Sequence, residues 1–332
     1  MQIARALILA TPSADNRPWS CTGSGPKPLV PVATKPILFH TLDALRRAGV
    51  LEAALLVEET TAPLFRAAVG DGSRWGMSIT YAPCEPQTDV CGALEVAHDF
   101  IADEPVLVQP ADAILRDSLR DHVVGFARED LDALALMILR PRTAAPPPSV
   151  RQAGGYLLSP SAVSIMLGSP ASRDPLARLR RHGSQVRVLD VEGCLACHGS
   201  EASLLEANRH ALAGITTAID GATLEGSEIQ GSVVIHPTAT LQNTLVRGPA
   251  IIGPRSRLVD SYVGPYSSIG ADVRIEGTEI EHSIVMDCAQ LLFVGSRLET
   301  SIIGRGASIV RRFDMPSAVR MSIGDGARVA LS

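Results

Sequence analysis

Thr22-Gly-Ser-Gly-Pro-Lys-Pro-Leu-Val-Pro-Val-Ala-Thr-Lys-Pro-Ile-Leu38 is the stretch on which the reading of this chain turns. A short apolar run, Ala6-Leu7-Ile8-Leu9-Ala10, precedes it, and a helix-patterned segment ending Arg46-Arg47-Ala48-Gly49 follows. Strand, glycine- and proline-rich loop, then helix is the opening of a parallel α/β sheet, where ligands gather at the carboxyl ends of the strands. The loop also holds Lys27 and Lys35, the two lysines among 30 basic residues.

Working outward, residues 1–214 alternate short apolar runs with amphipathic segments. Strands are predicted at Ala4–Leu9, Ala53–Val57, Ser78–Ala82, Pro105–Gln109, Ala133–Leu139, Gly155–Leu158 and Val186–Leu189. Helices are predicted at Ile37–Ala48, Ala62–Val69, Gly92–Ile101, Arg116–Arg128 and Ser159–Leu167. This pattern places Thr11–Lys27, Pro110–Asp112 and the chain after Leu189 around one cleft. A low-complexity break, Pro141-Arg142-Thr143-Ala144-Ala145-Pro146-Pro147-Pro148, interrupts the alternation.

Past Gly214 the rhythm changes to hexads. Val263-Gly264-x-x-Ser267-x-Ile269-Gly270-x-x-Val273-x-Ile275 sets the pattern, with related pieces at Ile303–Ile309 and Ile323–Val329. Aliphatic residues at every sixth position suit a three-sided β-solenoid over 215–332, with glycine at the corners. Leu291-Leu292-Phe293-Val294 breaks that rhythm with four large apolar residues, which predicts a covered or intersubunit position and a homo-oligomer.

The 332 residues suffice for two cores, and 46% hydrophobic with 20% charged residues describes a soluble globular protein. A net charge of −5 opposes nonspecific nucleic-acid binding. No run of about 18 apolar residues suggests a membrane span, and the N-terminal apolar run is short and continues into the domain. A cytoplasmic protein with six reduced cysteines is expected.

Pro26-Lys27-Pro28-Leu29-Val30-Pro31-Val32 and Lys35-Pro36-Ile37-Leu38 resemble the P-K-x-L-[LV]-P-V-x-x-K-P-[IL] signature of sugar-1-phosphate nucleotidylyltransferases. The hexad region, from Arg247-Gly-Pro-Ala-Ile-Ile-Gly through Asp260-Ser-Tyr-Val-Gly-Pro-Tyr, is similar to the tail of long-form glucose-1-phosphate thymidylyltransferases. The resemblance implies an α/β Rossmann-like domain followed by a left-handed parallel β-helix. It also implies joining of a nucleoside triphosphate to a sugar-1-phosphate, with Mg²⁺ as cofactor. In such a reaction the protein aligns two anions and offsets their charge.

The family's site residues carry over unevenly. Lys27 is the phosphate-binding lysine by this resemblance; otherwise it is a solvated surface lysine. Ala10 and Thr11 begin the nucleotide loop, but the family's G-G-x-G-T-R-L becomes Thr11-Pro12-Ser13-Ala14-Asp15-Asn16-Arg17, with Arg17 the candidate for the catalytic arginine. Pro12 lacks an N–H, and Asp15 adds negative charge where phosphate should sit. Glu85 and Gly92 mark the base-reading segment, in which Asp89 stands for the family glycine and turns a carboxylate toward the nucleotide. Gln152, Gly154 and Tyr156 stand for the sugar-contacting N-A-G-[IV]-Y, whereas the E-K-P lysine has no counterpart.

Asp112 in Pro110-Ala111-Asp112-Ala113 matches the first Mg²⁺ ligand, or simply caps a helix. Cys197 occupies the second ligand position, and a thiol is a poor Mg²⁺ donor. Cys194-Leu195-Ala196-Cys197-His198 also fits haem attachment or a partial Zn²⁺ site completed by Cys21; two buried small residues is the simpler reading. His236 and His282 among the coils admit a CoA-dependent acyltransferase, against a packing role. The sequence therefore supports a transferase of weak or altered activity. Its rival is a catalytically degenerate homologue that serves as a binding or assembly partner.

Overall fold

The computed structural model of the protein describes residues 3–10, 25–86, 88–138, 152–168, 175–196 and 201–311. Its α/β part runs β1 (Arg5–Leu9), β2 (Pro31–Val32), β3 (Lys35–Pro36), α1 (Ile37–Ala48), β4 (Glu52–Val57), α2 (Ala62–Val69), β5 (Ser78–Pro83), α3 (Val90–Val96) and α4 (His98–Ile101). It continues β6 (Val106–Pro110), β7 (Ala113–Leu115), α5 (Leu119–Arg128), β8 (Ala133–Ile138), β9 (Gln152–Leu158), α6 (Pro160–Leu167), α7 (Pro175–Arg181), β10 (Val186–Val191), β11 (Gly193–Leu195) and α8 (Glu201–Leu212). Seven strands form one sheet in the order β10-β8-β9-β6-β1-β4-β5. β9 alone runs antiparallel to its neighbours β6 and β8.

β1 is central, so both faces are covered and its sequence is a continuous apolar run. Ile8 faces the cluster shared with Leu38, Leu42 and Phe126, and Leu7 faces that of Leu56, Leu94 and Met166. α1 forms because Leu38, Leu42 and Leu45 recur on one face, and all three are fully buried. Gly49 ends it in the left-handed conformation, φ 93, returning its N–H to Leu45 and Arg46.

Two helices differ from the sequence expectation. The segment expected as one helix at Gly92–Ile101 is α3 and α4, divided at Ala97. Asp89 caps α3, its side chain accepting from the Gly92 N–H at 2.9 Å. The expected helix at Arg116 starts instead at Leu119 behind the Ser118 cap, because Ala113–Leu115 pairs with β11.

From Thr223 the chain winds through three parallel sheets, of six, five and five strands. This is a three-sided parallel β-helix, consistent with the left-handed form. One turn is 17 residues in the earlier coils, the offset between Asn243 and Asp260 and between Arg255 and Asp272, and 16 or 18 in the later ones, as from Ile275 to Leu291 and from Ile284 to Ile302. Leu241, Leu258, Ile275 and Leu291 form one buried rung, each fully enclosed. Leu291 thus continues the rhythm that the Leu291–Val294 run was expected to break, while Phe293 points outward and is 44% exposed.

Not all corners are glycine. Asn243 and Asp260 take left-handed φ of 47 and 48, which short polar side chains tolerate. Gly253 is required for a different reason: a Cβ there would lie 2.5 Å from the Gly270 carbonyl oxygen of the next coil. The solenoid docks on the α/β part through one apolar cluster, in which Ile284 and Met286 meet Val30, Val32, Ile37 and Leu204.

Candidate active site

The carboxyl ends of β1, β4 and β6 are tied together. Ala10 donates its N–H to the Leu56 carbonyl at 2.9 Å, and Ala111 donates to that of Leu9 at 2.8 Å. Asp112 stands two residues beyond β6, 9% exposed. α1 fixes the turn on both sides of it: the Thr41 hydroxyl lies 3.1 Å from the Ala111 carbonyl oxygen and 3.3 Å from that of Ala113. The Asp112 carbonyl itself accepts the Ala196 N–H at 3.0 Å. β11, paired with β7, therefore brings the chain that continues to Cys197 alongside Asp112.

Lys27 begins a 3-10 turn, its carbonyl accepting the Val30 N–H at 3.0 Å. Beyond it β2 and β3 form a hairpin in which Val32 pairs with Lys35. The second lysine of the motif is committed elsewhere. Lys35 ion-pairs with Asp43, whose other oxygen accepts the Trp75 indole N–H at 2.9 Å. His40 lies beneath the hairpin with Nε2 2.9 Å from the Val32 carbonyl oxygen, so that nitrogen carries the proton. Burial, followed by the positive charge of Lys35, pushes the His40 pKa down to about 4.

The hairpin, the Asp112 turn and β11 converge. Val30, Val32 and Ala33 share one apolar cluster with Ile114, Cys194 and Ala196. Within it Cys194 is 8% exposed, and burial first, then the nearby Glu206 and Asp112 carboxylates, keeps its thiol protonated. Arg209 and His210 in turn engage Glu206, at 2.6 and 3.0 Å.

The remaining sequence candidates are spread along the sheet. Glu85 is exposed, and its carbonyl accepts the Thr88 hydroxyl at 2.6 Å. The Gly92 N–H is already taken by Asp89, whose carboxylate caps α3. Gln152 pairs with Ile138, and Tyr156 sits opposite Val108 and Ala135. Gly154 lies in the irregular stretch of β9, where a Cβ would meet side-chain atoms of Ile138 at 2.9 Å and Leu115 at 3.1 Å. Thr11, Arg17, Cys21, Cys197 and His198 lie outside the described residues, as do Asp15 and the proline-rich break.

Sequence reasoning missed Thr41, whose role depends on carbonyls about 70 residues along the chain, and His40, whose partner Val32 lies across the hairpin. A polar pair within the apolar stripe of α1 was the available signal. Asn208 is 1% exposed and links two separate segments, as described below.

The nucleotidyl transferase family profile matches residues 5–147. The whole chain is similar to a glucose-1-phosphate thymidylyltransferase of Streptomyces griseus, 31% identical over 356 residues that span 99% of each chain. It is likewise 30% identical, over 98% of this chain and 99% of the relative, to the low-salt glycan biosynthesis nucleotidyltransferase Agl11 of Haloferax volcanii. A Bacillus anthracis crystal structure described as a glucose-1-phosphate thymidylyltransferase in complex with a sucrose superposes with TM-score 0.54 at 21% identity. That match covers 64% of this chain and 97% of the other, and it bears on fold. Among the described residues no helix is long and apolar enough to cross a membrane. Full-length identity, the matching profile and the lysine hairpin over a mixed α/β sheet agree: the chain belongs to the sugar-1-phosphate nucleotidylyltransferase family.

Proposed function

We propose that this protein binds a nucleoside triphosphate, thymidine the nearest base, and a sugar-1-phosphate at the ends of β1 and β6, and transfers the nucleotidyl group slowly. One observation carries the reading: the Lys27 hairpin, the Asp112 turn and β11 meet in a single cluster. In this arrangement Lys27 meets triphosphate oxygens, and the backbone at Ala10 and Ala111 sets the floor of the cleft. The sugar-phosphate oxygen attacks the α-phosphorus in line, and pyrophosphate leaves. A Mg²⁺ ion would be held by Asp112 together with substrate phosphate, and would offset developing charge. The donor set fits such an ion only in part, since Cys197 offers sulfur where the family offers a second carboxylate.

Pyrophosphate release from dTTP and glucose-1-phosphate with Mg²⁺ is the test. Turnover far below the ordinary enzyme median of about 10 per second is expected. A rate of that order would overturn the weakened-site reading. Failure of any nucleoside triphosphate with Mg²⁺ to raise the melting temperature would overturn nucleotide binding and favour the degenerate assembly partner.

The protein also assembles as a homo-oligomer in this reading, with the solenoid contributing. The outward Phe293 supports it, a large apolar side chain on a solenoid corner. Light scattering that gives a monomer at micromolar concentration would sink this part.

A further inference from the structure

The turn joining β2 and β3 is held in an unfavourable backbone conformation. Val32 pairs with Lys35, so the connection has two residues, Ala33 and Thr34, at φ 47 and 66. Two successive positive φ values are those of a type I′ turn, for which Asn-Gly is preferred. Neither alanine nor threonine takes φ > 0 readily, and a β-branched residue there is an outlier. Something outside the turn has to hold it.

Asn208 of α8 is placed to do so. Its side-chain oxygen accepts the Ala33 N–H at 2.9 Å, and its side-chain nitrogen donates to the Tyr266 carbonyl at 2.9 Å. The two partners fix the orientation of the amide, because a flipped side chain would set acceptor against acceptor and donor against donor. Tyr266 is a solenoid residue, itself left-handed at φ 56, with its ring stacked on His282 at 5.5 Å. One buried amide thus bridges the lysine hairpin, the helix that follows the Cys197 segment, and the solenoid.

We propose that Asn208 is a positioning residue: it holds the Ala33–Thr34 turn, and through the hairpin sets Lys27, so the solenoid is part of the scaffold of the nucleotide site. The inference rests on the nucleotidyl-transfer reading, and goes beyond it in assigning the solenoid a part in nucleotide binding. Asn208 touches no reacting group. A ligand-independent consequence follows from the hydrogen bond alone, since the Ala33 amide is shielded only while Asn208 accepts from it.

Amide hydrogen exchange and dTTP calorimetry on the full chain test it together. Asn208→Ala should speed exchange in the 31–36 segment about ten-fold while β1 stays unchanged, and should weaken dTTP binding by about the same factor. Thr34→Gly in that background should restore the affinity, because glycine takes the turn conformation unaided. General destabilisation would not be cured by a glycine in one turn. Should Asn208→Ala fail to fold, Asn208→Asp in its protonated form keeps an acceptor toward Ala33 and a donor toward Tyr266, and at mildly acidic pH it should preserve slow exchange in the 31–36 segment. Unchanged exchange in Asn208→Ala, fast exchange in Asn208→Asp at that pH, or an affinity loss that Thr34→Gly leaves uncured would each overturn the proposal. Absence of dTTP binding by the unaltered protein would instead sink the nucleotidyl-transfer reading, and the exchange measurement would still decide whether Asn208 holds the turn.

Discussion

The solenoid and the α/β sheet encode their structures at different ranges. In the solenoid a residue's place is set by the residue 17 positions earlier, so Leu241 foretells Leu258 and Leu258 foretells Ile275. In the α/β part the turn that bears Asp112 is anchored by Thr41, 70 residues before Ala111, and the lysine hairpin by Asn208, 175 residues after Ala33. Repetition makes a fold legible. Distant contacts shape the Asp112 turn and the hairpin and hide them from the sequence.

The contrast can be broken or sharpened by substitution. Ile269→Asp should have the largest effect. It buries an unpaired charge at a fully enclosed rung, costing about 4 kcal/mol or more, read as a lower urea midpoint. Trp75, buried in the α/β part, reports by fluorescence whether that half unfolds in the same transition, as the shared apolar cluster implies. Two separate transitions would show that the halves are energetically independent.

Cys197→Asp comes next. An oxygen donor at the family's second ligand position should raise pyrophosphate release about 10- to 100-fold, or about 1.4–2.7 kcal/mol of barrier. An unchanged rate would place the deficit in the rewritten Thr11–Arg17 loop instead. Thr41→Val removes the hydroxyl beside two buried carbonyls and should cost about 1–3 kcal/mol in thermal unfolding. An isostere that leaves the melting temperature unchanged would show that the Asp112 turn does not depend on α1.

The smallest effect concerns pH. His40 ionises near 6.5 when unfolded and about 4 when folded, so folding favours its neutral form. Its contribution is complete above pH 6.5 and is lost as pH falls toward 4. Melting temperatures of His40→Gln should accordingly fall less steeply across that window than those of the unaltered protein. Parallel curves would remove His40 from the acid sensitivity.

Much of the architecture was legible because it obeys local rules. The seven main strands follow apolar runs, and the solenoid follows its hexads. What escaped had non-local causes. β7 and β11 are three-residue strands that exist only because they pair with each other. Asp89, read as charge near the nucleotide, is also the helix cap directly before Val90. Gly154 belongs to a motif associated with sugar contact, and a larger residue there would also press on the side chains of Ile138 and Leu115. Motif matches made Lys27 and Asp112 legible, while Thr41, His40 and Asn208, which hold the hairpin and the Asp112 turn in shape, carry no periodic signal.

The way the solenoid meets the α/β part limits how the gene can change in length. The docking surface draws Ile251, Ile284 and Ile302 from strands of one sheet, on separate coils. Insertions or deletions in this half are tolerated best in whole turns or at corners, where coils of 16, 17 and 18 residues already occur, since a residue lost within a strand would swap inward and outward side chains along it. Even a whole turn removed between Ile251 and Ile302 would put a different corner in the place of Tyr266, opposite Asn208. Natural length variation should therefore gather beyond the docked coils, toward the chain terminus, where the stack can grow or shrink without shifting its attachment.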